Sequence, residues 1–400
     1  MKLDEKKAEI QKKALIAWTE NNKKGTIEAI TGIGKTFISL YAIVSMGRCS
    51  KVLFLAETTE REKDLNDDIE KFNNLNDIDL NNYASIEFMC YQSAYKLENE
   101  EYDLVIADEI HDALTPKYSK FFSSNEYGAI LGLSATVDRS TSYEENNETY
   151  NKGDLVDSIA PVCFKYTIDD GQKDGTSRKL NVYVISHRLD AKSKNVKAGT
   201  KLKPFMQTEF AAYNYWDNQF KKALFLPDSQ TKKFKITTTS AARAKVLYEA
   251  PSKIKEVKKL LKGLKNKTLL FGNSLNALME VTPNVISSRY SEVKNKSIRE
   301  NFESGKIKLV GSFKKLKQGA NLSGLDNIVI MSYYSKSKDL IQRIGRARKD
   351  GNKVGSIFIF LTVATQEQVW FDRMFDGIDS FNIINCSSVE DCIKKYKEEG

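Results

Sequence analysis

Three short stretches carry residue types that could do chemistry together. The first is Glu28-Ala29-Ile30-Thr31-Gly32-Ile33-Gly34-Lys35-Thr36. Its glycines let backbone N–H groups turn inward around an anion. Lys35 adds a point charge suited to the β- and γ-phosphates of a nucleotide, and the Thr36 hydroxyl can ligate Mg²⁺. Such a loop can also be a plain surface turn, but here Gly25–Ile30 reads as a strand and Phe37–Met46 as a helix. The second stretch is Asp108-Glu109-Ile110-His111, at the end of the apolar strand Tyr102–Ala107, where ligands bind in open α/β sheets. Asp108 would hold Mg²⁺ and Glu109 would orient an attacking water; a solvated acidic turn is the bland alternative. The third is Gln342-Arg343-Ile344-Gly345-Arg346-Ala347-Arg348-Lys349. Arg343 and Arg346 share a helical face and could reach a γ-phosphate, unless the helix is merely basic surface.

These side chains need rigid elements behind them. Val52–Ala56, Ser85–Met89, Ile130–Leu133, Leu180–Ser186, Thr268–Phe271, Lys308–Val310 and Ile328–Met331 read as strands, most of them continuous apolar runs of the kind found in buried parallel sheets. The expected fold is therefore α/β. A chain of 400 residues exceeds what one core usually supports, so two domains are expected, 1–165 and 166–400. Residues 5–20 should form a helix carrying Gln11, 140–153 an exposed loop, Asp169–Gly171 a linker, and Ala241–Leu264 one helix.

Composition narrows the class. The formal net charge of +9 suggests a polyanionic partner, although lysine and asparagine are abundant throughout, and scarce arginine is more informative. An insertion of about 190–235 stands out. Its lysines, Lys192, Lys194, Lys197, Lys201 and Lys203 first among them, far outnumber its acids, with Phe205, Phe210, Tyr213, Tyr215, Trp216 and Phe220 interleaved. Such a mixture suits gripping a nucleic-acid strand or packing the buried face of a helix. The expectation here is both: a helix packed through Phe210, Tyr213, Trp216 and Phe220, beside a basic 190–203 loop. The five cysteines show no metal or disulfide spacing, and the charged N-terminus lacks an apolar signal core. A cytoplasmic chain without a membrane partner is expected.

In order and spacing these motifs resemble those of superfamily 2 DExH-type helicases over residues 11–349. Within that group, Ser134-Ala135-Thr136-Val137-Asp138-Arg139 and Gly153-Asp154-Leu155-Val156 are similar to the phage branch-migration helicases of the UvsW type and to XPB-like repair motors. The resemblance implies two tandem RecA-like domains with the ATP site in the cleft between them, ATP and Mg²⁺ as cofactors, and a monomer acting on forked, branched or single-stranded DNA. It implies nucleotide contacts at Gln11, Thr31, Gly32, Ile33, Gly34, Lys35, Thr36, Gly319 and Asn321. Gln342, Arg343 and Arg346 would be catalytic, with Arg346 at the arginine-finger position. His111, Ser134 and Thr136 would couple nucleotide to nucleic acid. Thr58, Tyr91, Gln92, Asn273, Ser274 and Ser312 would contact nucleic acid. Ala29, where the full phosphate-loop pattern has glycine, is the version seen in this superfamily; the chain departs from the family pattern at Ala8 for arginine, Glu57 for proline, Cys90 for threonine and Asn321 for aspartate. An RNA helicase, and a nucleic-acid-binding regulator with an inactive motor, are the competing readings. If the chain is phage-encoded, the host cytoplasm is its compartment.

Overall fold

The computed structural model describes residues 2–399 except 31, 48–50, 136, 138, 140, 146–147, 177–179, 201, 314–324, 334–354 and 376–381. Thr31, Thr136, Lys201, Gly319, Asn321, Gln342, Arg343 and Arg346 therefore lie outside the described residues. The chain divides into two compact units, 1–177 and 178–400.

The first unit is built on strands β1 (Lys24–Ala29), β2 (Lys51–Ala56), β3 (Ser85–Cys90), β4 (Glu101–Asp108), β5 (Glu126–Ser134) and β8 (Val162–Tyr166). They pair in parallel in the order β3-β2-β4-β5-β1-β8. Successive strand side chains point to opposite faces, and both faces are covered. Val52, Phe54, Leu104, Ile106, Leu131 and Leu133 pack under α1 (Lys2–Glu20), α2 (Lys35–Ser45) and α3 (Glu60–Asn76) through Ile10, Trp18, Ile38, Leu65 and Phe72. Leu53, Leu55, Val105, Ala107 and Ile130 pack under α4 (Tyr91–Ala94) and α5 (Pro116–Ser124) through Tyr91, Phe121 and Phe122. This two-sided burial is why the strands read as unbroken apolar runs. In the parallel register Glu28 of β1 stands beside Ser134 of β5, and Asp108 of β4 beside Leu133. The three carboxyl ends thus share one edge.

The second unit has seven strands: β9 (Leu180–His187), β12 (Thr268–Phe271), β13 (Val285–Ser287), β14 (Leu309–Phe313), β15 (Asn327–Ile330), β16 (Gly355–Thr362) and β17 (Asn382–Cys386). They pair in parallel in the order β13-β14-β12-β15-β16-β9-β17. The core of this unit joins Tyr183, Leu270, Val329, Phe358 and Phe360 to helices α10 (Pro251–Gly263) and α14 (Val389–Glu399). Each unit is a parallel α/β layer, as the strand pattern predicts, and a RecA-like one, as the family resemblance implies.

Four local expectations are corrected. Residues 140–153 are not a loop: β6 (Ser142–Glu145) and β7 (Glu148–Asn151) form an antiparallel hairpin, followed by α6 (Lys152–Ile159). The expected linker at Asp169–Gly171 is part of α7 (Ile168–Lys173), started by a capping box between Thr167 and Asp170, which satisfies amide groups at the helix start. The expected single helix Ala241–Leu264 is two, α9 (Gln230–Tyr248) and α10. Ala250, before Pro251, is held at ψ 116° because proline excludes the helical conformation from its predecessor. The basic 190–203 loop includes β10 (Val196–Gly199), which pairs antiparallel with β11 (Pro204–Gln207).

A buried ion pair tests the second core. Lys253 on α10 donates to both carboxylate oxygens of Glu367 at 2.9 Å, each side chain fully buried. Glu367 lies on α13 (Gln366–Phe375) and also accepts from the Thr362 amide. Lys253→Met should destabilise the second unit by about 3–5 kcal/mol, because it strands a buried carboxylate. Lys259→Met, whose partner Glu390 is exposed with it, should cost at most about 1 kcal/mol. Chemical denaturation measures both, and equal losses would contradict this ranking.

Candidate nucleotide site

The loop after β1 is shaped by its glycines. Gly32 and Gly34 sit at φ +90° and +86°, a conformation that side chains disfavour. A Cβ on Gly34 would also lie 2.5 Å from the Gln11 side-chain nitrogen. Gln11 itself donates to the Ile33 carbonyl at 2.8 Å, so α1 braces the loop from beneath. Lys35 opens α2 and folds back, donating to the Ala29 carbonyl at 3.2 Å with Glu109 Oε1 3.8 Å from its ammonium.

The acidic loop after β4 carries local strain. Glu109 adopts φ 48°, ψ 51°, a left-handed conformation costing a non-glycine residue about 1–3 kcal/mol. That turn aims its carboxylate back towards Lys35. Glu109 Oε2 is buried and accepts no hydrogen bond among the described residues, although His111 Nδ1 stands 3.3 Å away. Burial works to raise the Glu109 pKa, but Lys35, His111 and the Ala135 amide hold it below the ordinary glutamate value. An ionised carboxylate with a vacant acceptor suits orienting a water. His111 Nδ1 meets Ser134 Oγ at 2.9 Å, linking the end of β4 to the end of β5.

The site contains a group the motifs did not reveal. Arg61, in the first turn of α3, donates through Nε to Asp108 Oδ2 at 2.7 Å and through Nη2 to Thr36 Oγ1 at 2.6 Å. The sequence signal that could have found it is the scarcity of arginine, the same feature that singles out 343–348. Thr36 and Asp108 thus converge on one cation, and a hydroxyl with a carboxylate is a hard-oxygen pair suited to Mg²⁺, which takes its other ligands from phosphate and water.

The expected nucleic-acid residues are placed unevenly. Tyr91 is 2% exposed and donates its hydroxyl to the Asp108 carbonyl at 2.8 Å. It braces the acidic loop from inside instead of facing solvent, while Gln92 is exposed beside it. Thr58 is half-buried. In the second unit Ser274 and Ser312 are buried. Ser274 caps α11 (Leu275–Val281) and donates to Glu249, as its capping role predicts. The Asn273 amide donates to Ser332 Oγ. Lys192, Lys194, Lys197 and Lys203 are exposed on or near the β10–β11 hairpin.

The insertion is both packed and bare. On α8 (Glu209–Leu224) Tyr213 is buried, accepting from the Gln366 amide at 2.8 Å. Phe220 lies 4.1 Å beneath the Arg243 guanidinium, whose Nη1 donates to Asp217 at 2.6 Å. Trp216 is half-buried. Phe210, by contrast, is 51% exposed, which corrects its expected place on the packed face. Leu202, Phe205, Met206, Tyr215, Phe225 and Phe234 are exposed as well.

Asp112 gives the site a pH signature. Burial pushes its carboxyl up to about 6, with Glu57 and Glu109 adding and His111 opposing. A carboxyl raised on folding contributes stability that is complete below its ordinary value and lost as pH rises through about 6. Asp112→Asn should therefore raise the Tm of the first unit, relative to the natural chain, by about 2–4 °C more at pH 7.5 than at pH 5. An identical difference at the two pH values would contradict the assignment.

Known proteins resemble this chain in sequence and in fold. Residues 1–139 match the family of the type III restriction enzyme res subunit, and residues 252–351 match the helicase conserved C-terminal domain. The DNA 3'-5' translocase XPB2 of Sulfurisphaera tokodaii is 20% identical over 89% of this chain and 82% of its own length. Among solved structures, the ATP-dependent type ISP restriction-modification enzyme LlaBIII bound to DNA is 12% identical with a TM-score of 0.60, covering 97% of this chain. This chain spans only 32% of that enzyme. S. cerevisiae Dbp5 bound to RNA and ADP BeF3 is 11% identical with a TM-score of 0.57, over 96% of this chain and 92% of its own. At these identities the structural likeness is one of fold. No helix among the described residues is long and apolar enough to cross a membrane. The two matched domains, in this order on two RecA-like units, place the chain among the superfamily 2 helicases.

Proposed function

We propose that the chain is an ATP-dependent DNA translocase that remodels branched DNA, such as forks and four-way junctions, in recombination, repair or replication. The observation that carries the motor reading is the convergence of Lys35, Thr36, Asp108 and Glu109 at one edge of the first sheet. Thr36 and Asp108 would hold Mg²⁺, which when bound supplies charge neutralisation at the β- and γ-phosphates. Lys35 meets the phosphates, the glycine-loop amides cradle them, and Glu109 orients the attacking water. Arg343 and Arg346, outside the described residues, enter the proposal as the cations that stabilise the transition state, with Gln342 beside them. His111 and Ser134 relay between the nucleotide and the bound strand. The DE-x-H spelling and the UvsW-like subtype belong to this proposal as well.

The choice of DNA is supported by the Sulfurisphaera relative's being named a DNA translocase and by the exposed lysines and aromatic rings of the insertion. The Dbp5 likeness is to an RNA-bound protein but extends to fold alone. An inactive motor is disfavoured because a regulator needs none of Lys35, Asp108 and Glu109 in this arrangement.

Glu109→Gln should bind ATP and DNA as the natural chain does while turnover falls about 10²–10⁴-fold, since an amide cannot take up the water's proton. DNA-stimulated hydrolysis near the natural rate would remove Glu109 from the chemistry. Neutralising Lys192, Lys194, Lys197, Lys201 and Lys203 together should lower the salt slope of DNA binding by roughly 0.7–0.9 for each phosphate that no longer meets a lysine, and should impair junction unwinding. Hydrolysis with saturating single-stranded DNA should persist. An unchanged slope with normal unwinding would mean the lysines are a solvated face.

A further inference from the structure

Arg61 is the group that the nucleotide reading leaves without a task. Its guanidinium spans two oxygens from different elements, Thr36 Oγ1 on α2 at 2.6 Å and Asp108 Oδ2 at the end of β4 at 2.7 Å. A third side chain, Asp68 Oδ2, lies 3.8 Å from Nη1. Asp68 is two turns along the same helix, away from the sheet edge. The Arg61 guanidinium carbon lies 5.9 Å from the centre of the Phe54 ring, so one face of the group is apolar while its nitrogens meet oxygens.

We propose that Arg61 is a built-in placeholder for the metal of this site: in the nucleotide-free protein its guanidinium bridges Thr36 and Asp108, and it hands them over to Mg²⁺ when the metal–nucleotide complex binds. This rests on the reading of Thr36 and Asp108 as the Mg²⁺-holding pair. The physical argument is charge. Asp108 is 8% exposed, and a buried carboxylate beside Glu109 is costly unless a cation faces it. One cation suffices, and Arg61 and Mg²⁺ would compete for the same two oxygens. A guanidinium cannot share an oxygen pair with Mg²⁺, whose ligands crowd to about 2.0–2.1 Å. The departing side chain already has Asp68 within reach, so its charge passes from one carboxylate to another by rotation about its own side-chain bonds. Lys35 shows the matching behaviour on the anion side, resting against Ala29 and Glu109. The site thereby keeps its charges paired before a ligand arrives, and metal binding carries the added cost of releasing Arg61.

The test reads the Mg²⁺ requirement of ADP binding, without hydrolysis. ADP affinity is measured by calorimetry across a MgCl₂ series, and in EDTA, for the natural chain, Arg61→Gln, Arg61→Lys and Asp68→Asn. Removing a charge-assisted hydrogen bond should lower the Mg²⁺ concentration for half-maximal ADP binding about tenfold in Arg61→Gln, with affinity in EDTA unchanged. Arg61→Lys keeps a cation but not the two-oxygen fork, and should fall between. Asp68→Asn removes the receiving carboxylate and should raise the Mg²⁺ requirement, which keeps the idea open to refutation should Arg61→Gln fold poorly. An unchanged Mg²⁺ requirement in both Arg61→Gln and Asp68→Asn overturns the proposal. So does weaker ADP binding by Arg61→Gln in EDTA, which would make Arg61 a phosphate ligand. Thr36→Ala and Asp108→Asn separate the two readings: if Mg²⁺ dependence survives in both, the metal-site assignment fails first, whatever Arg61 does.

Discussion

The carboxylate of Asp108 is the point on which the first unit's polar chemistry depends. It sits at the end of a buried strand, where an uncompensated negative charge would be costly. The surroundings answer that cost from several directions. Arg61 faces the side chain, Tyr91 donates to the residue's carbonyl, and the strained Glu109 turns the next carboxylate towards Lys35. Tyr91 is drawn into this scaffold from a segment that could equally have faced a ligand. Its phenol is pushed up by burial, with Asp108 adding, so it stays a neutral donor.

The second unit solves a different problem, how to hold an insertion firmly while leaving its surface bare. Glu209, fully buried at the start of α8, accepts from the Asp190 amide, the Asn195 side chain and both the amide and hydroxyl of Ser252. Arg243 joins Asp217 to Gln366. These hydrogen bonds tie the start of the insertion to α10 and its middle, through Arg243 of α9, to α13. The exposed rings and lysines of the insertion carry no packing duties, which leaves them available for the proposed role in gripping a strand.

Much of this was legible because each signal was local. The glycine loop announces itself through residues whose backbone must go left-handed, and buried parallel strands through apolar runs with no polar face. The burial of Leu53 on one face and Phe54 on the other follows from such a run. The expectations that failed had weaker physical signatures. The hairpins at 142–151 and 196–207 are built from strands of four residues each, too short for a pattern to stand out from the surrounding polar and basic sequence. The break at Pro251 was readable, and the apolar periodicity on either side concealed it. Tyr91 and Phe210 exchanged their expected environments because an aromatic ring serves a core and a surface equally well. Arg61 was beyond local reading: its partners lie 25 and 47 residues away, and only the folded sheet edge brings them together.

The central claim is that nucleotide chemistry in the first unit is driven by contact with DNA. The most direct measurement is steady-state phosphate release from Mg–ATP by the natural chain, alone and with saturating single-stranded DNA, forked DNA, four-way DNA or RNA. The account predicts slow release alone and a many-fold rise with DNA, greatest on branched forms. Release that is indifferent to every nucleic acid, or that responds to RNA and not to DNA, would contradict it.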